Sequence, residues 1–181
     1  LCTFLLTSLF VVKDSYDLYR INAAKSFYGD YDVKYTVYAY TQNKEYTDTY
    51  LDSLSYETPM PYVYKGTFDS LVSTTNFSVY PIRLIEGKYP KSNEVLIHKK
   101  YQNKYKVGDT IKLYSDQKSK EYTISGVYEN LNNQLINYSF YTSTHSKKDA
   151  MYVYANLKDK SAIATLPVQD YELNSDIVVA K

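Results

Sequence analysis

Tryptophan is absent from the 181 residues, and cysteine occurs once, at Cys2. A single thiol closes no intramolecular disulfide and anchors no cysteine-based zinc site, so a disulfide scaffold and a zinc ribbon are both excluded. Histidine occurs only at His98 and His145, far apart and without ligand spacing around either. Glycine is also sparse. Gly87, Gly108 and Gly126 stand alone, and nothing resembles a G-x-x-x-x-G-K-[ST] phosphate loop, so this segment does not handle ATP. An excess of charge of either sign is missing too: 21 basic against 20 acidic residues leave a net charge of +1. Nucleic-acid binding needs a clustered basic field, and the pairs Lys99-Lys100 and Lys147-Lys148 read instead as solvated faces. Cys2 lies in an apolar stretch away from any polar partner, so it is not a nucleophile.

What is present is apolar and aromatic. Hydrophobic residues make up 44% of the chain and charged residues 23%, which is globular composition with enough length for one domain or two small subdomains. Tyrosine occurs 24 times. Its ring suits half-buried strands and also a sticky binding surface, while lysine far outnumbering arginine makes the plainer reading a compositional drift throughout the proteome of origin.

The chain opens on Leu1 to Val12, almost wholly apolar. A bilayer span needs about 20 such residues. Apolar positions continue past Lys13 at Tyr16, Tyr19, Ala23 and Phe27, in helical steps of three and four. The reading is the end of a transmembrane helix over 1–12 that continues as a stalk helix over 13–28, with Gly29 as its C-cap. The competing reading is a soluble helix packed on the domain.

Beyond Gly29, alternation over Asp30 to Ala39 predicts a strand with one buried face. Thr41 to Ser55, with Tyr46, Tyr50, Leu51 and Leu54 at helical spacing, predicts a short helix, and Pro59-Met60-Pro61 a break. Tyr62 to Phe68 and Phe77 to Ile85 read as strands separated by polar Asp69 to Asn76, and Pro81 marks an edge or a bulge. Leu135 to His145 fits helix or strand. Met151 to Leu157 alternates, with Met151, Val153, Ala155 and Leu157 inward; Ser161 to Leu166 suits a short helix; Asp176 to Lys181 begins an apolar run, read as the approach to a second transmembrane helix.

The most informative stretch is Leu84 to Tyr128. Glu86-Gly87 ends one apolar run, Tyr89-Pro90 keeps the chain extended, and Asn93-Glu94 opens the short buried strand Val95 to Ile97. Tyr101 to Tyr105 makes a helical turn. Gly108-Asp109 is a tight turn, after which Ile111 and Leu113 share a face. Glu121 to Glu129 pairs back as a hairpin across Asp116 to Lys120, with Gly126 at a bulge or close backbone approach. Glu86, Glu94 and Asp109 read as turn and capping groups, not as acid and base.

This succession resembles the extracytoplasmic domain of FtsX-like, MacB-type ABC transporter permeases. The family's pattern of leucine, x, Glu, Gly, basic, Tyr, Pro is matched at Leu84 to Pro90. Its Asn-Glu-Val block falls at Asn93 to Val95, its Lys-Val-Gly-Asp-Thr-Ile block at Lys106 to Ile111, and its Thr-Ile-x-Gly-Val block at Thr123 to Val127. The positions carried over as structural signature are Glu86, Gly87, Tyr89, Pro90, Asn93, Glu94, Gly108, Asp109 and Gly126.

The resemblance implies an α+β fold: a mixed β-sheet domain in two subdomains, over 29–181 with an inserted unit at roughly 41–77, and a long N-terminal stalk continuing from a transmembrane helix. It also implies a mechanical role without enzymatic activity, cofactor or metal. A separate cytoplasmic ABC ATPase subunit, a second permease copy or homologue, and an extracellular peptide or protein would be the partners. The location would be the outer face of the cell membrane, and the richness in lysine and tyrosine points to a Gram-positive surface. The reading from a different class is a tyrosine-rich, membrane-anchored binding module that recognises peptide or glycan without an ATPase.

Overall fold

The computed structural model describes residues 2–36, 51–64, 67–115, 118–132, 139–144, 150–165 and 171–180. Helix α1 (Cys2–Tyr28) stops where Gly29 takes φ +107° and returns its N–H to the Lys25 carbonyl at 3.0 Å. A left-handed residue at this point is the usual end of a helix, and glycine enters that region without steric cost.

Among the described residues, ten strands form one mixed sheet. They are β1 (Val33–Thr36), β2 (Leu51–Tyr64), β3 (Thr67–Thr74), β4 (Ile82–Gly87), β5 (Glu94–His98), β6 (Thr110–Ser115), β7 (Lys118–Asn130), β8 (Phe140–Ser143), β9 (Tyr152–Leu157) and β10 (Tyr171–Leu173). Their order is β10-β1-β9-β2-β3-β8-β5-β7-β4. Strand β6 pairs with β7 and, at Val63 opposite Tyr114, with the far end of β2. Six strands, β2, β3, β8, β5, β7 and β6, therefore close a circuit.

Alternation along those strands sorts the core into two faces. Leu71, Ile97, Ile111, Leu113, Ile124, Val127 and Phe140 pack together with Met60, so every strand of the circuit contributes to one interior. Their sequence neighbours Val72, Leu96, Tyr128 and Tyr141 pack on the other face with Val79, Tyr80, Ile82 and Tyr154. A strand buried on both faces reads as an unbroken apolar run, and Val95-Leu96-Ile97 does so. Each such side chain removed from water contributes about 1.5–3 kcal/mol. Val33, Leu51, Ala155, Leu157 and Ala162 form a third cluster under β1 and β9.

Several expectations are corrected. Residues 51–55 are strand, not helix. A bulge between Leu51 and Ser53 inserts an extra residue, so Leu51 and Leu54 reach the same cluster at a spacing that imitates a helix. Thr41 to residue 50 lies outside the described residues.

Strand β2 also runs through Pro59 and Pro61. Glu57 accepts the Met151 N–H on the β9 side, so Pro59 and Pro61, two and four residues on, aim their nitrogens the same way. Among the described residues, pairing to β9 ends at Glu57 and pairing to β6 begins at Val63, so no strand there calls for the N–H that Pro59 and Pro61 lack. The polar separator is itself strand, because Thr67 to Thr74 turns back on β2. Phe77 to Val79 is a 3-10 turn, and β4 starts only at Ile82. Met151 is 47% exposed, just before β9 begins. Leu135 to His145 resolves as strand over β8, with 133–138 and His145 outside the described residues.

A 3-10 turn (Lys160–Thr165) follows β9 and helix α2 (Ser175–Ala180) follows β10, and α2 lies against α1.

Candidate functional site

The turns at Gly87, Asn93 and Gly108-Asp109 converge on four consecutive positions of β7, Thr123 to Gly126. Asn93, at φ 64°, accepts the Thr123 N–H through its carbonyl at 3.1 Å. Gly108 donates to the Ile124 carbonyl and Asp109 accepts from the Ile124 N–H, both at 2.8 Å. The Lys88 N–H reaches the Ser125 carbonyl at 3.0 Å, and Gly87 lies directly opposite Gly126. Three turns that are remote in sequence thus dock on one segment of one strand.

The side chains around them close the turns. Asp109 Oδ2 accepts from the Lys106 N–H at 2.8 Å, and Glu94 Oε2 from the Lys91 N–H at 2.8 Å. That backbone hydrogen bond, with help from Lys88, holds the Glu94 carboxyl below its usual range. Tyr89 stacks on Phe77 with ring centroids 5.0 Å apart, and Pro90 is buried. The Glu86 side chain is exposed; its backbone carbonyl, not its carboxylate, abuts Gly126. Register shifts occur on both sides of Gly126, where the hydroxyls of Ser125 and Thr142 bond to the Val95 and Glu94 carbonyls at 3.3 and 2.8 Å.

A second constellation, which sequence reasoning missed, surrounds the end of α1. Helix C-terminal carbonyls lack partners within the helix. Asn132 Nδ2 donates to the Phe27 carbonyl at 3.1 Å, and Asn174 Nδ2 to the Gly29 carbonyl at 3.3 Å. Both asparagines are only 4% exposed. Asp30 donates its N–H to Ser78, and the Val79 carbonyl occupies the place where a Gly29 side chain would stand. The same asparagine, Asn174, accepts the Ile177 and Val178 N–H groups and so opens α2. Asn174 before Ser175 and the apolar run fits a helix start, a signal that could have found it; the polar loop holding Asn132 carries none.

Two buried carboxyl groups were also missed. Glu57 Oε2 accepts from the Tyr80 and Tyr154 hydroxyls at 2.5 and 2.8 Å. Burial, then the Glu57 charge, pushes the Tyr80 phenol well above its ordinary value. Asp32 Oδ2 accepts the Leu157 N–H at 2.7 Å, beside a cavity of about 320 Å³ lined by Asp32, Leu157, Lys158, Asp159, Lys160 and Val178. Asp159 in that cavity is tied to the Ser161 N–H and hydroxyl. These contacts are structural: each named carboxylate oxygen caps a backbone or hydroxyl donor. Among the described residues, no three His, Cys, Asp or Glu side chains gather to hold a metal ion. His98 is half-buried, accepts the Lys100 N–H at Nδ1 and meets Tyr128 edge-on.

The class that these observations define is an α+β domain built on one mixed sheet, with its first helix fastened at one end. No protein-family model and no curated protein matches the sequence. Solved structures similar to it include a domain of a candidate permease protein from Porphyromonas gingivalis, at TM-score 0.41 and 14% identity over 63% of this chain. Another is the extracellular domain of the noncanonical ABC-type transporter YknZ from Gram-positive bacteria, at TM-score 0.46 and 12% identity over 79% of this chain and 98% of that one. The chain spans 60% of the length of the Porphyromonas domain.

Proposed function

We propose that this chain is the extracytoplasmic domain of an ABC transporter permease subunit, and that it carries movement between a cytoplasmic ATPase and the outer face of the membrane. The observation that carries the reading is the meeting of the first and last helices at Gly29 and Asn174, with α2 lying against α1. Movement of paired membrane-rooted helices would enter the sheet at one place.

Exposure along α1 adds to this. Leu9, Phe10, Val11, Val12, Tyr16, Leu18 and Tyr19 are each 59–68% exposed and cover every side of the helix, a pattern a water-facing helix does not need. No helix among the described residues is itself long and apolar enough to cross a membrane. In this reading residues 1–12 are the end of a transmembrane helix, 13–28 are the stalk, and 29–181 are the extracytoplasmic unit. The long arm β2–β3 belongs to the inserted part at roughly 41–77. An α-helix suits the task because its internal hydrogen bonds resist extension, whereas a flexible linker absorbs displacement. Substrate, outer partner and the second permease copy follow from the family resemblance alone.

The test is insertion of two or three glycines between Asp14 and Tyr19 in the full permease, reconstituted with its ATPase in liposomes. Uncoupling of ATP hydrolysis from transport or signalling is expected. Full coupling in the insertion variant would end the proposal.

A further inference from the structure

We infer that Asn132 and Asn174 are the positioning residues that lock α1 to the sheet, so that the helix and domain move as one body. The inference rests on the stalk reading above and adds where the load crosses.

A helix normally finishes locally: the last carbonyls turn to water or to the residues just beyond the terminus. Here the Phe27 carbonyl, and the Gly29 carbonyl that also takes the Tyr31 N–H at 3.2 Å, accept from side-chain amides 105 and 145 positions away. Each amide belongs to a different part of the fold. Asn132 lies two residues past β7, the strand that pairs with β4, β5 and β6 and receives all three signature turns. Asn174 joins β10 to α2 and holds the Asp32 carbonyl through its own N–H at 2.9 Å.

A third tether, from Asp30 to Ser78, ties the same point to the turn before β4. The chain leaving α1 is therefore held on three sides within four residues. Displacement or rotation of α1 cannot be absorbed at Gly29, although glycine is where a hinge would otherwise form. Of the three tethers, the two asparagine amides can be removed without touching the backbone.

The experiment uses the full permease with its ATPase in liposomes. Cys2 is changed to Ser, so that cysteines introduced at Tyr19 and Lys120 are the only ones in this domain to carry spin labels. With the clamp intact, the distance between these labels stays the same in Mg-ADP and in Mg-ATP with vanadate. In the Asn132→Ala, Asn174→Ala variant that distance shifts with nucleotide and its distribution broadens, while the basal ATPase rate is unchanged. A distance as narrow and nucleotide-independent as in the parent overturns the inference.

Should the double variant not fold, judged by its circular dichroism melt, Asn132→Asp replaces it: the shape is kept and the donor removed, and the same shift is expected. A second label pair, Lys120 against a headgroup-labelled lipid, reports whether the domain moves at all with Mg-ATP. No movement in the parent refutes the stalk reading, and the clamp as a coupling device with it. Movement in the parent with no effect of the asparagine variants refutes only the clamp.

Discussion

Gly87 and Gly126 face each other across the β4–β7 pair, and backbone fills the space that a side chain at either position would require. A Cβ on Gly87 would stand 2.2 Å from the Ser125 carbonyl oxygen, at a φ of +79° besides. One on Gly126 would stand 2.7 Å from the Glu86 oxygen and 2.9 Å from that of Lys88. Backbone cannot swing aside as a side chain does. Gly108 offers the internal comparison: it too has positive φ, +96°, but nothing lies within 4 Å of its missing Cβ. We expect Gly87→Ala and Gly126→Ala to cost about 3 kcal/mol or more, and Gly108→Ala only about 1–2 kcal/mol for its backbone conformation. Urea unfolding of the three variants measures the difference, and equal costs would show that close packing at this crossing is not what the glycines serve.

The sequence made these turns legible because each depends on a short local signal. Asn93-Glu94, Gly108-Asp109 and the Gly29 stop all name a backbone conformation or a cap within a few residues. The strand Val95 to Ile97 was readable for the same reason, being too short and too β-branched for a helix. What failed was anything set by distant partners. Leu51 and Leu54 looked helical because a bulge against β9 alters the spacing, and nothing within β2 announces that bulge. Pro59 and Pro61 looked like a break because the open edge between β9 and β6 exists only once the sheet closes. The tyrosine excess was ambiguous for a related reason. Tyr56, Tyr80, Tyr122, Tyr128, Tyr141 and Tyr154 are buried, while Tyr16, Tyr19, Tyr89 and Tyr114 are exposed, and composition cannot sort them. Asn174 is marked locally as a helix start, but neither it nor Asn132 announces the carbonyl that its amide reaches, since those acceptors lie at the other end of the chain.

Alkaline stability follows from the buried phenols. Burial, chiefly, pushes Tyr31 up to about 12, and Tyr80 is also pushed well above its ordinary value. Unfolded tyrosine titrates near 10. Above that pH the unfolded chain releases protons that the folded chain keeps, so the folded state binds more protons and stability falls with rising pH. The contribution is complete below about pH 10 and is lost as pH rises through about 12. The urea midpoint should therefore drop across this window, and Tyr31→Phe should flatten part of the drop. An unchanged slope in that variant would mean that Tyr31 is not held protonated by the fold.

Glu57 and its two phenols should behave as a unit. Removing one hydroxyl, as in Tyr154→Phe, leaves the Tyr80 bond to the same Oε2 and should cost about 1.5–3 kcal/mol. Removing both takes two hydroxyl donors from a carboxyl group that is fully buried. The double variant Tyr80→Phe, Tyr154→Phe is accordingly expected to lose more than the sum of the singles, by about 1 kcal/mol or more. Additivity within about 0.5 kcal/mol would mean that the two bonds are independent of one another.

Asp32 fastens the edge of the sheet next to α2. Its N–H reaches the Ala155 carbonyl at 3.0 Å, its carbonyl takes the Asn174 N–H, and Oδ2 takes the Leu157 N–H. Asp32→Ala leaves that last donor buried without its acceptor, which should cost about 2–3 kcal/mol, while Asp32→Asn keeps an acceptor oxygen and should recover most of it. The loss should also be local. Strand β10 is three residues long and, among the described residues, is paired to β1 alone, so its register depends on Asn174 staying where Asp32 holds it. Hydrogen exchange should then show the amides of Leu157 and of Tyr171 to Leu173 exchanging faster in Asp32→Ala, with those of Val95 to Ile97 unchanged. Uniform acceleration across both groups would instead mean that the edge and the closed circuit unfold together, and that Asp32 stabilises the whole sheet and not its junction with the helices.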